Sequence, residues 1–213
     1  LKKRIGELTK TKVSVIPNYI CKKDYEESLT YKNEDLSEIR ILYSCSESHY
    51  EDFEYISKVL DLVGRWYPQV KLMSHGGLSL DNFVGDYKYK HQSVEKVPYM
   101  SYYKTLRELK PHIFIAPLKD TLNNICRSNL KYLQAGVMKA TFIGENLPPY
   151  ENIKNNGITS TTRIGWWWNL RKLIKNPELI TEFGNRAYLD IKNHLLEDHI
   201  GEWENVFLDV REV

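Results

Sequence analysis

The chain has 213 residues, of which 42% are apolar and 27% charged, and its formal net charge is +2. These values are ordinary for a globular protein that can bury a substantial core, and the small charge gives no case for nucleic-acid binding. The three cysteines are odd in number and lack metal-type spacing, which suggests a reducing compartment and no disulfide framework. No stretch reaches the ~18 apolar residues of a membrane-spanning helix, and no signal peptide is expected at the start.

Strand and helix patterns alternate along the chain. The strand patterns cover residues 13–16, 39–44, 70–73, 112–116, 138–143 and 157–160, with one short strand expected within 78–97. The helix patterns cover residues 53–63, 100–109, 124–135, 166–175, 177–195 and 203–210. This alternation predicts an α/β fold, a Rossmann-like parallel sheet with helices on both faces. Ligands of such sheets bind at the carboxyl ends of the strands, so the loops after the strands are expected to meet in one crevice.

Local signals refine the ends of these elements. Ser48 followed by Glu51 is a capping box that predicts a helix start. Asn176 before Pro177 is another typical helix start, and Gly136 is predicted to end the 124–135 helix. The polar residues 22–38 are predicted to form a loop.

The predicted domain organisation has three parts. The chain begins at Leu1 without an initiator methionine, which suggests a fragment of a longer protein. Residues 1–38 are predicted to hold a helix, a linker strand and a loop that end a preceding domain. Residues 39–195 are predicted to form the Rossmann-like domain, and residues 196–213 a C-terminal helical tail.

The helix predicted after the 112–116 strand is positively charged at its start. Arg127 and Lys131 are one turn apart and would share a helical face, with Asn124 and Ser128 on or beside it. Cations at a helix N-terminus oppose the macrodipole, whose N-terminal end is already positive. A bound anion would resolve the conflict, because amide N–H groups, a guanidinium and an ammonium all bind phosphate oxygens. The stripe therefore predicts a diphosphate site, with a solvated helix face as the alternative.

Two turns at the same end of the predicted sheet carry further candidates. Ser44 and His49 flank a strand-to-helix turn, where they would contact a phosphate or sugar or only support the turn. His75, Gly76 and Gly77 would let a ligand approach the backbone closely or form a simple turn. Neither turn is a dinucleotide fingerprint or a Walker-type loop.

Two clusters favour structural roles. The three tryptophans at 166–168 are able to stack on carbohydrate, but consecutive helical residues point in different directions, so packing is favoured. The histidines and acids within residues 194–199 resemble metal ligands in type only. No firm set of ligands is fixed there, so surface charge is favoured and no metal site is predicted.

Four segments together carry a resemblance to a known family. They are residues 15–18, 41–53, 109–136 and 149–187. In that order they resemble the interdomain linker, the first strand-turn-helix unit, the donor-binding block and the tail of one domain. That domain is the C-terminal, nucleotide-sugar-binding domain of two-domain (GT-B) bacterial glycosyltransferases of the retaining type. The chain departs from the commonest pattern at Asn123 and Lys131, where two glutamates are usual, and at Cys45, where glycine is usual.

The resemblance implies a hexosyltransferase-type glycosyltransferase that needs no metal or other cofactor and takes a nucleotide-diphosphate sugar as donor substrate. Arg127 and Lys131 would be catalytic, because they would neutralise charge on the leaving diphosphate. The residues implied in donor binding are Ser44, His49, Asn124, Ser128 and Tyr150.

The resemblance also implies partners and a location. They are a glycan or glycoconjugate acceptor and a missing N-terminal GT-B domain, without which the fragment would be inactive. The expected location is cytoplasmic, in polysaccharide biosynthesis, with membrane contact only through the parent protein at the inner face. The alternatives are a non-catalytic glycan- or partner-binding domain and a nucleotide-sugar epimerase or hydrolase.

Overall fold

A parallel sheet forms the centre of the molecule in a computed structural model that describes residues 5–9, 12–33, 35–84, 90–153 and 155–211. Its strands are β1 (Ile39–Cys45), β2 (Val70–Gly76), β3 (His91–Glu95), β4 (Ile113–Ala116), β5 (Thr141–Glu145) and β6 (Ile158–Ser160). Their spatial order is β3-β2-β1-β4-β5-β6, and each pairing between neighbours is parallel. The order reverses between β1 and β4, which is the position where such sheets bind ligands.

Helices cover both faces of this sheet. They are α1 (Lys22–Glu27), α2 (Tyr50–Trp66), α3 (Asp81–Val84), α4 (Tyr102–Leu109), α5 (Leu122–Ile125), α6 (Leu130–Val137), α7 (Arg163–Lys175), α8 (Pro177–Asp190) and α9 (Ile200–Arg211). Alternate strand residues enter two separate cores, so that Ile113 packs with residues of α2 and α7 and Phe114 with residues of α4 and α6. The predicted Rossmann-like α/β fold class is therefore confirmed.

The start of α2 differs from the prediction. A 3₁₀ turn (Glu47–His49) precedes the helix, and His49 is the residue before its first turn. The Ser48 hydroxyl bonds to Ser46 Oγ at 2.7 Å instead of capping α2, so the predicted capping box does not form.

Two expectations for the first segment are wrong. Residues 13–16 form no strand, and the predicted loop contains α1. That helix has Lys–Glu pairs one turn apart on its surface, which favour helical structure. Ile20 is 1% exposed and forms an isolated bridge with Leu195, so the segment packs on the end of the sheet domain. The divisions at residues 38 and 195 stay predictions.

The predicted helix over residues 124–135 is broken into two. Thr121 caps the one-turn α5 by accepting from the Asn124 amide at 3.3 Å, and residues 126–129 lie outside both helices. Arg127 therefore precedes α6 while Lys131 lies in its first turn, so the two cations do not share one helical face. Gly136 does not end the helix either. A Cβ there would lie 2.6 Å from Ile191 Cγ2, which shows that this glycine allows close packing instead.

Candidate functional site

A cavity of about 1300 Å³ lies at the carboxyl ends of β1, β2 and β3. Its lining includes Ser44 and His49 around the first strand-to-helix turn, and His75 with Gly76 at the end of β2. Lys131 reaches the cavity from α6, on the other side of the position where the strand order reverses. Three residues that the sequence places in the site thus line one cavity: Ser44, His49 and Lys131.

A hydrogen-bonded chain runs from β2 to Lys131 along this cavity. His75 Nδ1 lies 3.2 Å from Ser44 Oγ, which lies 2.9 Å from the Tyr102 hydroxyl. Tyr102 donates to Gln134 Oε1 at 2.9 Å, and Lys131 Nζ donates to the same oxygen at 3.2 Å. We call these five residues the Lys131 network.

The donor and the acceptor of each hydrogen bond in the Lys131 network can be assigned by starting from Lys131. An ammonium only donates, so the Gln134 oxygen accepts from both Lys131 and Tyr102. The Tyr102 oxygen must then accept from Ser44, and Ser44 must accept from His75 Nδ1–H. His75 is therefore the neutral tautomer protonated at Nδ1, consistent with burial and Lys131, which both lower the pKa of His75.

Lys131 is half-buried, and this sets its charge. Burial lowers the pKa of Lys131 to about 8, the Cys45 thiol acts in the opposite direction, and Arg127 lowers the pKa further. Burial raises the pKa of Cys45 itself to about 11, so that thiol is neutral at pH 7. The Lys131 ammonium therefore has a neutral hydrogen-bond acceptor, and an anion beside it would favour its charged form.

A second network holds Arg127. The Arg127 Nε donates to Asn124 Oδ1 at 2.8 Å, and Asn124 Nδ2 donates to Asp52 Oδ1 at 2.8 Å. His49 Nδ1 lies 2.9 Å from the other oxygen of Asp52, and the Lys119 amide also donates to this carboxylate at 2.8 Å. We call His49, Asp52, Asn124 and Arg127 the Arg127 network. Asn124 and His49 thereby connect the β1–α2 turn to the loop that holds Arg127.

Asp52 is the charged centre of the Arg127 network, and it is only 5% exposed. Burial alone would raise its pKa, but hydrogen bonds from His49, the Lys119 amide and Asn124 together lower the pKa of Asp52. The carboxylate is therefore ionised at neutral pH and has three donors.

Asn124, Arg127, Ser128 and Tyr150 lie outside the lining of the cavity. The Ser128 hydroxyl accepts from Asn18 Nδ2 and, at 3.4 Å, from the Leu130 amide at the start of α6. Tyr150 is 2% exposed and packs edge-on against Phe142. Burial raises the pKa of Tyr150 and the Arg127 charge acts to lower it, so the phenol lies within electrostatic range of Arg127.

The tryptophans at 166–168 and the cluster within residues 194–199 were predicted to have structural roles, and both make contacts within the protein. Trp166 is buried and donates to Glu145 Oε2 at 2.9 Å, and Trp167 packs edge-on against Trp66. Packing is thus confirmed for two of the three tryptophans, while Trp168 is 56% exposed. His199 stacks on Tyr19, with ring centroids 4.3 Å apart. Within the described ranges, no group of three potential metal ligands occurs.

Sequence reasoning missed three residues of these networks. Tyr102 and Gln134 are neutral and lie on helices distant in sequence, so no local pattern connects them to Lys131. Asp52 appeared only within the segment that resembles the first strand-turn-helix unit. Its position one turn after His49 was a usable signal, because an acid and a histidine at that spacing meet on one helix face.

The chain matches no known family model and no curated protein sequence. Its fold matches solved glycosyltransferases. A variant of S. aureus TarM, in complex with fondaparinux, alpha-GlcNAc-glycerol and UDP, gives a TM-score of 0.72 at 14% identity, covering 97% of this chain and 42% of TarM. The pneumococcal O-GlcNAc transferase GtfA, in complex with UDP and GlcNAc, gives a TM-score of 0.69 at 11% identity, covering 100% of this chain and 43% of GtfA.

A third similar structure is Anabaena HepE in complex with UDP and glucose, with a TM-score of 0.60 at 9% identity, covering 93% of this chain and 57% of HepE. The chain has the Rossmann-like fold found in these GT-B glycosyltransferases, as the sequence resemblance implied. It spans between 42% and 57% of the length of the three. Across the part of the chain that the structure describes, no helix is long and apolar enough to cross a membrane.

Proposed function

We propose that this chain binds a nucleotide-diphosphate sugar and serves as the donor-binding domain of a glycosyltransferase. The observation that carries the proposal is the half-buried Lys131 ammonium beside the cavity at the position where the strand order reverses. Burying a cation against a neutral acceptor is unfavourable, and a diphosphate would offset that cost. The UDP in the TarM, GtfA and HepE complexes supports this class of ligand.

The proposed chemistry is transfer of a hexosyl group with no metal. As the bond between the sugar and the diphosphate breaks, negative charge develops on the leaving oxygen. Lys131 and Arg127 would stabilise that charge, which is electrostatic catalysis by groups that are already in place. The Arg127 network holds the guanidinium through Asn124, so little reorganisation is needed when charge develops.

The proposal extends to the whole protein of which this chain would be a part. The acceptor would be a glycan or glycoconjugate, held by an N-terminal domain, with a cytoplasmic location and a role in polysaccharide biosynthesis. Retention of configuration and inactivity of the isolated chain belong to the same proposal. An alternative is a non-catalytic binding domain, favoured by Asn123 and Lys131 at the positions where the resemblance leads one to expect glutamates. Sugar transfer by the parent protein would reject that alternative.

Calorimetry with UDP tests the donor site. We expect Arg127→Ala and Lys131→Ala each to weaken UDP binding at pH 7 by about tenfold or more, because each removes a charge-assisted contact. Lys175→Ala is the matched control, since this exposed lysine lies at the end of α7 and belongs to neither the Lys131 network nor the Arg127 network. Equal UDP affinity in all four proteins would show that these cations do not bind the diphosphate.

A further inference from the structure

We propose that Tyr102 is a positioning residue that acts on Lys131 through Gln134. In this inference, which rests on the proposed donor site, the phenol hydroxyl fixes the orientation of the Gln134 side-chain amide so that its oxygen faces the Lys131 ammonium. Tyr102 also lines the cavity, but the proposed role does not require it to touch the donor. It comes from a different element, α4, than the two residues it organises.

The argument begins with the two ends of the Gln134 amide. A glutamine side chain presents an acceptor oxygen on one side and a donor NH₂ group on the other. Only the oxygen suits Lys131, because both the ammonium and the NH₂ group are donors. Gln134 is 7% exposed, so water has little access to correct a wrong orientation. A second donor on the same oxygen therefore selects the productive orientation, and Tyr102 is that donor at 2.9 Å.

The hydroxyl of Tyr102 is itself fixed. Ser44 donates to the phenol oxygen, because the phenol hydrogen is already committed to Gln134. Burial holds the pKa of Tyr102 well above its ordinary value, so the phenol keeps its hydrogen at every pH relevant to the site. Both bonds of Ser44 are thus within the protein, and Ser44 supports Tyr102 from the wall of the cavity.

The groups whose charge or hydrogen bonding acts on Lys131 come from several elements. Cys45 on β1 is a neutral thiol, and His75 on β2 is a neutral imidazole. Arg127, in the loop before α6, is a cation that disfavours the ammonium. The Tyr102 ring lies 6.0 Å from Lys131 Nζ, at the limit of a weak cation–π contact. Among these groups the Gln134 oxygen is the hydrogen-bond acceptor, so its orientation controls the stability of the charged lysine.

The first experiment measures Lys131 directly in the unliganded chain. Acetic anhydride labels only the neutral amine, so peptide mass spectrometry across a pH series gives the Lys131 pKa. We expect Gln134→Leu to lower this pKa by about one unit, since the acceptor is lost. We expect Tyr102→Phe to lower it in the same direction by less, because the amide is then free to turn its NH₂ group toward Lys131. An unchanged Lys131 pKa in Tyr102→Phe would overturn the proposal.

Tyr103→Phe is the matched control. This neighbouring tyrosine is buried on the same helix, with its ring 5.4 Å from the Tyr102 ring, and it also loses one phenol hydroxyl on substitution. Its substitution should leave the Lys131 pKa unchanged. If Tyr103→Phe lowers the Lys131 pKa as much as Tyr102→Phe does, general loosening of the core explains the effect and the proposal fails.

A double-mutant cycle tests orientation itself. The carboxylate of Gln134→Glu has no donor end, so its hold on Lys131 does not depend on Tyr102. Tyr102→Phe should therefore change the Lys131 pKa in the wild-type background but not in the Gln134→Glu background. An equal shift in both backgrounds would show that Tyr102 acts on Lys131 by another route.

UDP binding then separates this inference from the proposed function. If wild type binds UDP, we expect Tyr102→Phe to weaken binding by about two- to fivefold at pH 8, where a fall of less than one unit in the Lys131 pKa lowers the charged fraction of this lysine. If wild type fails to bind UDP while the labelling shifts occur, the positioning role stands and the donor site is wrong. If UDP binds but labelling of Lys131 does not respond, the donor site stands and the positioning role is wrong.

Discussion

The Lys131 and Arg127 networks each hold one cation, and they differ in the charge that they contain. The Arg127 network includes the ionised carboxylate of Asp52, whereas the partners of the Lys131 network are neutral side chains. Arginine keeps its charge at every relevant pH, while a buried lysine is able to lose it. Arg127 is therefore a permanent cation, and the charge of Lys131 depends on pH and on the ligand beside it.

This difference suggests that the two networks have different functions. A carboxylate with three donors favours a fixed loop, because it connects the α2 start, the Lys119 amide and Asn124. Lys131 pairs with no carboxylate among the residues that the structure describes, so it keeps its attraction for an incoming anion. The Arg127 network would thus mainly stabilise the fold, and the Lys131 network would mainly supply a positive charge that depends on the bound ligand.

Removing the Asp52 carboxylate should have the largest effect on the stability of the chain. We expect Asp52→Ala to lower the free energy of unfolding by about 3 kcal/mol, because it removes the buried carboxylate that accepts hydrogen bonds from His49, the Lys119 amide and Asn124. Urea unfolding followed by circular dichroism measures this change. Glu54→Ala removes an exposed acid from the same helix and should change stability by about 0.5 kcal/mol or less. Similar effects of the two substitutions would contradict a structural role for the Arg127 network.

Replacing Lys131 should change the free energy of unfolding in the opposite direction. The pKa of Lys131 is about 8 in the folded chain and 10.5 ordinarily, so the charged lysine disfavours folding at pH 7, and that cost disappears as the pH rises from about 8 to 10.5. We therefore expect Lys131→Met to raise the free energy of unfolding by ~1–2 kcal/mol at pH 7 while UDP binding is lost. Arg127→Met, which breaks the other network, should not stabilise the chain. Destabilisation by Lys131→Met would show that this lysine is part of the structural framework.

The pH dependence of UDP binding sharpens the comparison further. UDP should keep Lys131 protonated, so binding above pH 8 requires proton uptake and the affinity should fall by up to about tenfold per pH unit. In Lys131→Arg the guanidinium stays charged, so the affinity should be flat over pH 7.5–9.5, even where its absolute value changes. Calorimetry in buffers of different ionisation enthalpy would count the protons directly. A flat profile in wild type would mean that Lys131 does not titrate in this range.

The smallest effect concerns a second buried carboxyl. Glu145 has one donor, Trp166, and burial raises its pKa to about 7, the reverse of the shift at Asp52. The folded chain therefore keeps a proton that the unfolded chain loses, so stability should decrease as the pH rises from about 4.5 to 7. We expect Glu145→Gln to remove this decrease and to add about 1 kcal/mol at pH 8. Urea unfolding at pH 5 and pH 8 measures this change in stability, with the exposed Glu151→Gln as control. If Glu145→Gln had the same dependence of stability on pH as wild type, the raised pKa of Glu145 would be contradicted.

Most of the fold could be predicted because its central strands β1, β4 and β5 are buried on both faces. Residues 113–116 are all buried, so their hydrophobicity identifies the strand without any tertiary information. The end of β2 was not predictable in this way. Ser74 and His75 are polar, yet Ser74 is buried because its hydroxyl donates to the Leu78 carbonyl at 2.6 Å. The break between α5 and α6 was missed because the helical pattern of apolar residues continues across it.

The charged members of the candidate site were predictable, whereas their supports were not. Lys131 stood out because a cation at a helix start conflicts with the helix dipole. Tyr102 gave no comparable signal, because a tyrosine in an amphipathic helix usually packs in the core. Its role depends on which atom donates in each hydrogen bond of the Lys131 network, and only the three-dimensional contacts define that.

The size of the cavity has a kinetic consequence. Its volume of about 1300 Å³ exceeds the ~300–1,000 Å³ of most small-molecule pockets. A nucleotide sugar in this chain would therefore keep part of its hydration shell, and few of its atoms would need to break contacts before it leaves. We expect short residence times even where the equilibrium affinity is moderate, with differences between variants lying mainly in the dissociation rate.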